Sequence, residues 1–256
     1  MSKISLHGFN NLTKNLSFSL YKLHYLNSKQ AQHNYNAYIN AHFCADKLAP
    51  LLVRISHAIG GNVLNVASQD YQPQGASVTL MISEEAQPAP LSNVKAESLV
   101  AHLDKSHLCI HTYPEEAPQE DIAIFRADIE LSTCGVISPL EVLDYVIEEF
   151  NPDVVDIDYR IRGMTRSNRG EMLFIDDNLQ NISDYLSTRL KASFTIEDHN
   201  LTAHNLFHTK LSKTKVNLND YLFEDCINEI SIAQQRAIKV QIEQALKQLF
   251  THSTPS

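Results

Sequence analysis

A chain of 256 residues, 43% apolar and 20% charged, has ordinary globular composition and enough apolar material for one large domain or two small ones. Its formal net charge is −9 and no Lys/Arg cluster stands out, which disfavours a nucleic-acid partner or an anionic membrane surface and suits a cationic small substrate. The four cysteines (Cys44, Cys109, Cys134 and Cys226) are scattered without a CxxC pair, and among seven glycines there is no GxGxxG, GxxxxGK[ST] or GxSxG, so a zinc knuckle, a disulfide framework, a nucleotide loop and a nucleophile elbow are all unsupported.

The N-terminus MSKISLHGFNN lacks the apolar core of a signal peptide, and no stretch approaches ~18 uninterrupted apolar residues; the expectation is a soluble, cytoplasmic protein. Leu16–Tyr25 alternates, with Leu16, Phe18 and Leu20 on one face and Ser17 and Ser19 on the other, the pattern of a half-buried strand. Phe18 and Tyr21 read first as core aromatics, and secondly as flat faces for a substrate ring. Tyr35–Ile59 reads as one or two helices, with Leu48, Leu51, Leu52, Ile55 and Ile59 at helical spacing, Pro50 marking a kink or a second start, and Gly60-Gly61 ending the run.

Asn62–Ala67 and Ser77–Ser83 read as strands around the turn DYQPQG, and Ser83–Glu97 as a surface loop. His107–Tyr113 and Ile122–Leu131 read as neighbouring strands joined by the acidic PEEAPQED. Ile129 and Leu131 point inward, and Arg126, Asp128 and Glu130 lie on a solvated or subunit-facing surface. Ser138-Pro139 opens a helix with the stripe Leu140, Leu143, Ile147 and Phe150, and Val154–Ile161 is a further strand.

The fold class is therefore α+β, a mainly antiparallel sheet with helices on one face, with residues 1–162 as its core. Residues 163–256 form an extension packed on that core or on a neighbouring subunit. In it Ile175–Leu190 reads as helical, LTAHNLFHTKL is ambiguous, and Glu229–Phe250 is an amphipathic helix. His204 and His208 have the spacing of two ligands on a helix face, but no HExxH pattern accompanies them, and ordinary surface histidines are the preferred reading.

The chemistry concentrates in AHLDKSHLCIHTYP. It sets Lys105-Ser106 before a strand, with His111 five residues on, and Cys134 ends the next strand pattern. Separately, these residues are a strand-opening serine, a half-buried histidine and a packing cysteine. As a Ser–His or Cys–His hydrolase they lack a marked orienting residue and oxyanion hole.

Together, DKSHLCIHTYPE (104–115), FRADIELSTCG (125–135) and ISPL (137–140) resemble the long form of the bacterial S-adenosylmethionine decarboxylases. LHGFNNLTKNLSF, NVLNVASQDYQPQGASVTLMISEE, DYRIRGMTR and NLFHTKL carry the likeness over nearly the whole chain. The resemblance implies a sandwich of that family's kind and a proenzyme that cleaves itself between Lys105 and Ser106. Ser106 then becomes a covalently bound pyruvoyl group, one per subunit, which forms a Schiff base with the substrate amine. It implies His111 as processing base, Ser77 as a processing serine, Cys134 as proton donor, and Glu115 as a holder of the ribose hydroxyls. The implied carboxy-lyase reaction converts S-adenosyl-L-methionine to S-adenosyl 3-(methylsulfanyl)propylamine and CO2 for spermidine biosynthesis, in a homo-oligomer of cleaved α/β protomers.

The family is also associated with Mg2+, for which PEEAPQED offers oxygen ligands whose number and geometry the sequence leaves open. Strict alternation sets Ser106 and His111 on opposite faces, so pairing them requires an irregular strand start. The competing readings are a pyruvoyl decarboxylase of arginine or ornithine, and a non-catalytic relative.

Overall fold

The computed structural model describes residues 6–83, 106–115, 121–134, 137–223 and 230–253. Lys105, Gly135, Cys226, Glu229, most of the expected 83–97 loop and the middle of PEEAPQED lie outside the described residues.

The frame is an antiparallel sheet in which the longest strands are central. Its strands are β2 (Thr13–Tyr25), β3 (Asn62–Asp70), β4 (Ala76–Ser83), β5 (Ser106–Pro114), β6 (Ile122–Cys134), β7 (Val154–Arg162), β10 (Phe194–Asp198) and β11 (Leu206–Lys213), in the order β10-β11-β7-β2-β6-β5-β4-β3. A small second sheet joins β1 (Leu6–Asn10), β8 (Thr165–Ser167) and β9 (Met172–Leu173). Residues beyond 163 thus supply two strands of the main sheet, through the pairing of β11 with β7.

Period-two patterning sorts the sheet into two faces. Leu16, Phe18 and Leu20 of β2 stand beside Leu131, Ile129 and Ala127 of β6 and Val155 and Ile157 of β7, all buried. That face is covered by α1 (Lys29–His42), α2 (Ala45–Ala58) and α3 (Leu143–Phe150). Tyr35, Ile39, Leu48, Leu52, Ile55, Val146, Ile147 and Phe150 complete one apolar core. Each fully buried Leu, Ile or Phe there contributes about 1.5–3 kcal/mol. The other face carries Ser17, Ser19, Arg126, Asp128, Glu130, His107, Cys109 and His111.

The C-terminal helix α5 (Ile232–Thr251) is started by a capping box between Ser231 and Gln234. It lies on that second face at one end, where Ile238, Ile242 and Leu246 pack on Leu23 and Val154. Asp153 ties this region together. Fully buried, it accepts from Leu23 N at 2.8 Å and the Tyr221 hydroxyl at 3.0 Å, and it lies 3.3 Å from both Lys22 Nζ and Lys213 Nζ.

Three expectations are corrected. The helix break falls at Phe43-Cys44, not at Pro50, which sits inside α2; Asp70 Oδ1 reaches from β3 to cap Ala45 N at 2.8 Å and fixes the second start. Residues 175–190 are mostly irregular, with a 3-10 turn at Ile182–Tyr185 before the short helix α4 (Thr188–Ser193). There Asn181 and Asp184 bond to backbone groups and shorten the turn. His204 ends a 3-10 turn while His208 lies in β11, so no helix face joins them.

Candidate active site

The ends of four neighbouring strands meet at one rim of the sheet. Ser106 opens β5, is 2% exposed, and faces the helices in step with Leu108 and Ile110. Its Oγ accepts from the backbone N–H of Cys134, the last residue of β6, at 3.3 Å. Sequence separation of 28 residues is closed here by the β5–β6 register, in which His107 opposes Ser132. The Cys134 Sγ lies 4.0 Å from the Thr13 hydroxyl, and Thr13 has Cys134 as its partner on one side and Arg162 on the other. Arg162 Nη2 donates to Asn15 Oδ1 at 3.0 Å, and Asn15 Nδ2 donates to Ser132 Oγ at 3.1 Å. On the helix side of this rim, Lys14 stands beside Thr133 and forms a buried ion pair with Asp176 at 2.7 Å.

His111 belongs to a second cluster. Its strand neighbours are Ser77 on β4 and Asp128 on β6, all on the face away from the helices, and the Tyr71 hydroxyl lies 3.1 Å from its Nδ1. Gly75 (φ +105°) lets the turn before β4 settle onto β5, for a Cβ there would stand 2.7 Å from Thr112 O. That close approach brings Tyr71 to His111.

The two clusters are separate within one chain. Strand β5 is regular from Ser106, which pairs with Ile82, so the irregular start expected from the sequence is not found. Five residues of regular strand, at about 3.3 Å each, hold Ser106 and His111 roughly 16 Å apart and on opposite faces.

Residues 39–163 match the family model for S-adenosylmethionine decarboxylase. The chain is 44% identical over 259 residues to the S-adenosylmethionine decarboxylase proenzyme of Pseudomonas syringae pv. tomato, with 97% of each chain covered. It is 43% identical to that of Photorhabdus laumondii, with 98% of this chain and 97% of the relative covered. The chain belongs to the S-adenosylmethionine decarboxylase family. Among solved structures, the adenosylmethionine decarboxylase of Aquifex aeolicus aligns with a TM-score of 0.36 at 17% identity, covering 68% of this chain and 99% of that one.

The remaining candidate residues fall as follows. Glu115 sits just past β5, exposed, with its Oε2 accepting from Ile124 N at 2.9 Å. Phe18 is 2% exposed in the helix-covered core, which fits its first reading as a core aromatic and not the second, as a face for a substrate ring. Cys109 shares the face of His111, but burial and the nearby Glu130 push its thiol pKa up, keeping it protonated. Among the described residues no group of three or more His, Cys, Asp or Glu could hold a metal, and the middle of PEEAPQED, where oxygen ligands for Mg2+ are expected, lies outside them. No helix among the described residues is long and apolar enough to cross a membrane. Tyr71, Thr13 and Arg162 escaped sequence reasoning. The signals were present in DYQPQG and DYRIRGMTR, but only the register shows what they touch.

Proposed function

We propose that this chain is a self-processing decarboxylase of S-adenosyl-L-methionine that yields S-adenosyl 3-(methylsulfanyl)propylamine and CO2 for spermidine biosynthesis. The observation that carries this reading is the contact of the Ser106 hydroxyl with the backbone N–H of Cys134 at the rim of the sheet, on a chain of this family. The Ser106 hydroxyl attacks the Lys105 carbonyl, and the scissile C–N bond breaks as the serine nitrogen takes up a proton, leaving an ester. A base removes the Ser106 α-proton, and the Lys105 carboxylate departs to give dehydroalanine. Its imine tautomer takes up water and releases ammonia, leaving a terminal ketone on residues 106–256.

The Ser106 hydroxyl is buried and held by the Cys134 N–H at 3.3 Å, which fixes the attacking oxygen on the sheet; the attack also needs a donor for the oxyanion that forms on the Lys105 carbonyl. The ketone supplies an electron sink to an amine-bearing substrate. Cys134, at the end of the strand beside the one that Ser106 opens, protonates the former α-carbon.

The processing base is His111, with Ser77 beside it, acting across a homo-oligomer. The roughly 16 Å and the opposite faces that separate His111 from Ser106 support action in trans, with one protomer's His111 serving its neighbour's Ser106. Glu115, one residue past the strand that carries His111, holds the ribose of the neighbour's substrate. The protein functions in the cytoplasm, among the other soluble enzymes of small-molecule metabolism.

Co-expression of two inactive variants tests the arrangement. A His111→Ala chain keeps its own Ser106, and a Ser106→Ala chain keeps its own His111. The expected result is scission of the His111→Ala chain only when the Ser106→Ala chain accompanies it. A His111→Ala chain that cleaves equally well alone removes His111 from the mechanism, and one that stays intact in both cases overturns processing in trans.

A further inference from the structure

We propose that Arg162 binds the carboxylate of the substrate, the group that is lost in the reaction. The inference rests on the reading of Ser106 and Cys134 as the reacting end of the site. Register places Arg162 there: Thr13 is the strand partner of both Cys134 and Arg162, and the three residues share one row on the face away from the helices. Two strand spacings of about 4.8 Å put the Arg162 Cα roughly 10 Å from that of Cys134, within reach of an extended arginine and a small acid between them.

One nitrogen of the guanidinium is tied to the next row of the same face. It donates to Asn15, which donates to Ser132, two residues before Cys134 on β6. Asn15 uses one nitrogen of the guanidinium fork, and among the described residues no carboxylate forms an ion pair with Arg162. The side chain is exposed, so its other donors are open to a ligand. In a protein of formal net charge −9, a cation with no acidic partner among the described residues, beside the proton donor, is a recognition group for an anion. The substrate is a sulfonium cation with one anionic group, its α-carboxylate. The product keeps the sulfonium and the amine and lacks that carboxylate.

An anchor to a group that departs stabilises bound substrate at least as much as the transition state. Arg162→Gln therefore raises KM about tenfold to a hundredfold, the loss of one charge-assisted contact, while kcat stays within about twofold. The inhibition constant of the decarboxylated product, which has nothing for Arg162 to hold, does not move. Arg162→Lys restores part of the affinity.

The experiment measures all three quantities on purified, cleaved protein, with scission and melting temperature checked for each variant. A raised KM with an unchanged product inhibition constant supports the anchor. An unchanged KM, an inhibition constant that rises in parallel with KM, or an Arg162→Gln chain that fails to cleave overturns it. Native protein that is uncleaved and lacks a ketone overturns the reading of Ser106 itself, an outcome visible before any kinetics are run.

Discussion

Lowering the pH destabilises this protein through one buried imidazole. His24 is 5% exposed, ringed by Tyr35, Tyr38 and Phe223 at centroid distances of 5.2, 5.5 and 5.0 Å, and its Nε2 has no hydrogen-bond partner among the described residues. Burial, reinforced by the charge of Lys22 and opposed by that of Asp153, lowers its pKa to about 3. The unfolded chain titrates near 6.5 and so binds more protons between those two values. Stability is complete above pH 6.5 and is lost progressively as pH falls toward 3.

At pH 5 the penalty from this group is about 2 kcal/mol, against about 0.1 kcal/mol at pH 7.5. The assay is urea unfolding at both pH values in a Ser106→Ala background, comparing His24 with His24→Phe, which keeps the aromatic nest. The expected result is that the pH-dependent loss is about 2 kcal/mol smaller in the variant. Equal losses in the two proteins would refute a neutral, unpartnered His24.

Asp153→Ala leaves Lys22 buried and Lys213 half-buried without their carboxylate and costs about 3–5 kcal/mol, read as a lowered urea midpoint. Gly75→Ala meets both a positive φ and the Thr112 carbonyl, costs about 1–3 kcal/mol, and slows self-cleavage by moving Tyr71 off His111; cleavage at the native rate would show that contact to be dispensable. Cys134→Ala cleaves normally and turns over about 100-fold to 10,000-fold more slowly, measured as CO2 release; native turnover would remove the thiol as proton donor.

Alternation made the central sheet legible. Leu16, Phe18 and Leu20, and Ile129 and Leu131, announce their inward face, and the structure extends those strands by only a few residues. What local pattern could not supply was pairing at long range. Nothing in TIEDHN or FHTKLS states that β10 and β11 add themselves to the edge of β7, and nothing near Ala45 states that Asp70 will cap it. The residues of the site were legible as types, through the likeness of DKSHLCIHTYPE and ELSTCG to a known family. Their grouping was not: period two already opposed Ser106 and His111, yet the expected remedy was a distorted strand. The regular ladder from Ser106 to Pro114 removes that remedy, and the proposal of processing in trans starts from there.

Intact mass spectrometry of freshly purified protein under denaturing conditions tests the central claim most directly. The account predicts two chains, residues 1–105 and residues 106–256, the larger lacking a free N-terminal amine and reacting with a carbonyl reagent. A single chain of 28.9 kDa, inert to that reagent, would contradict it.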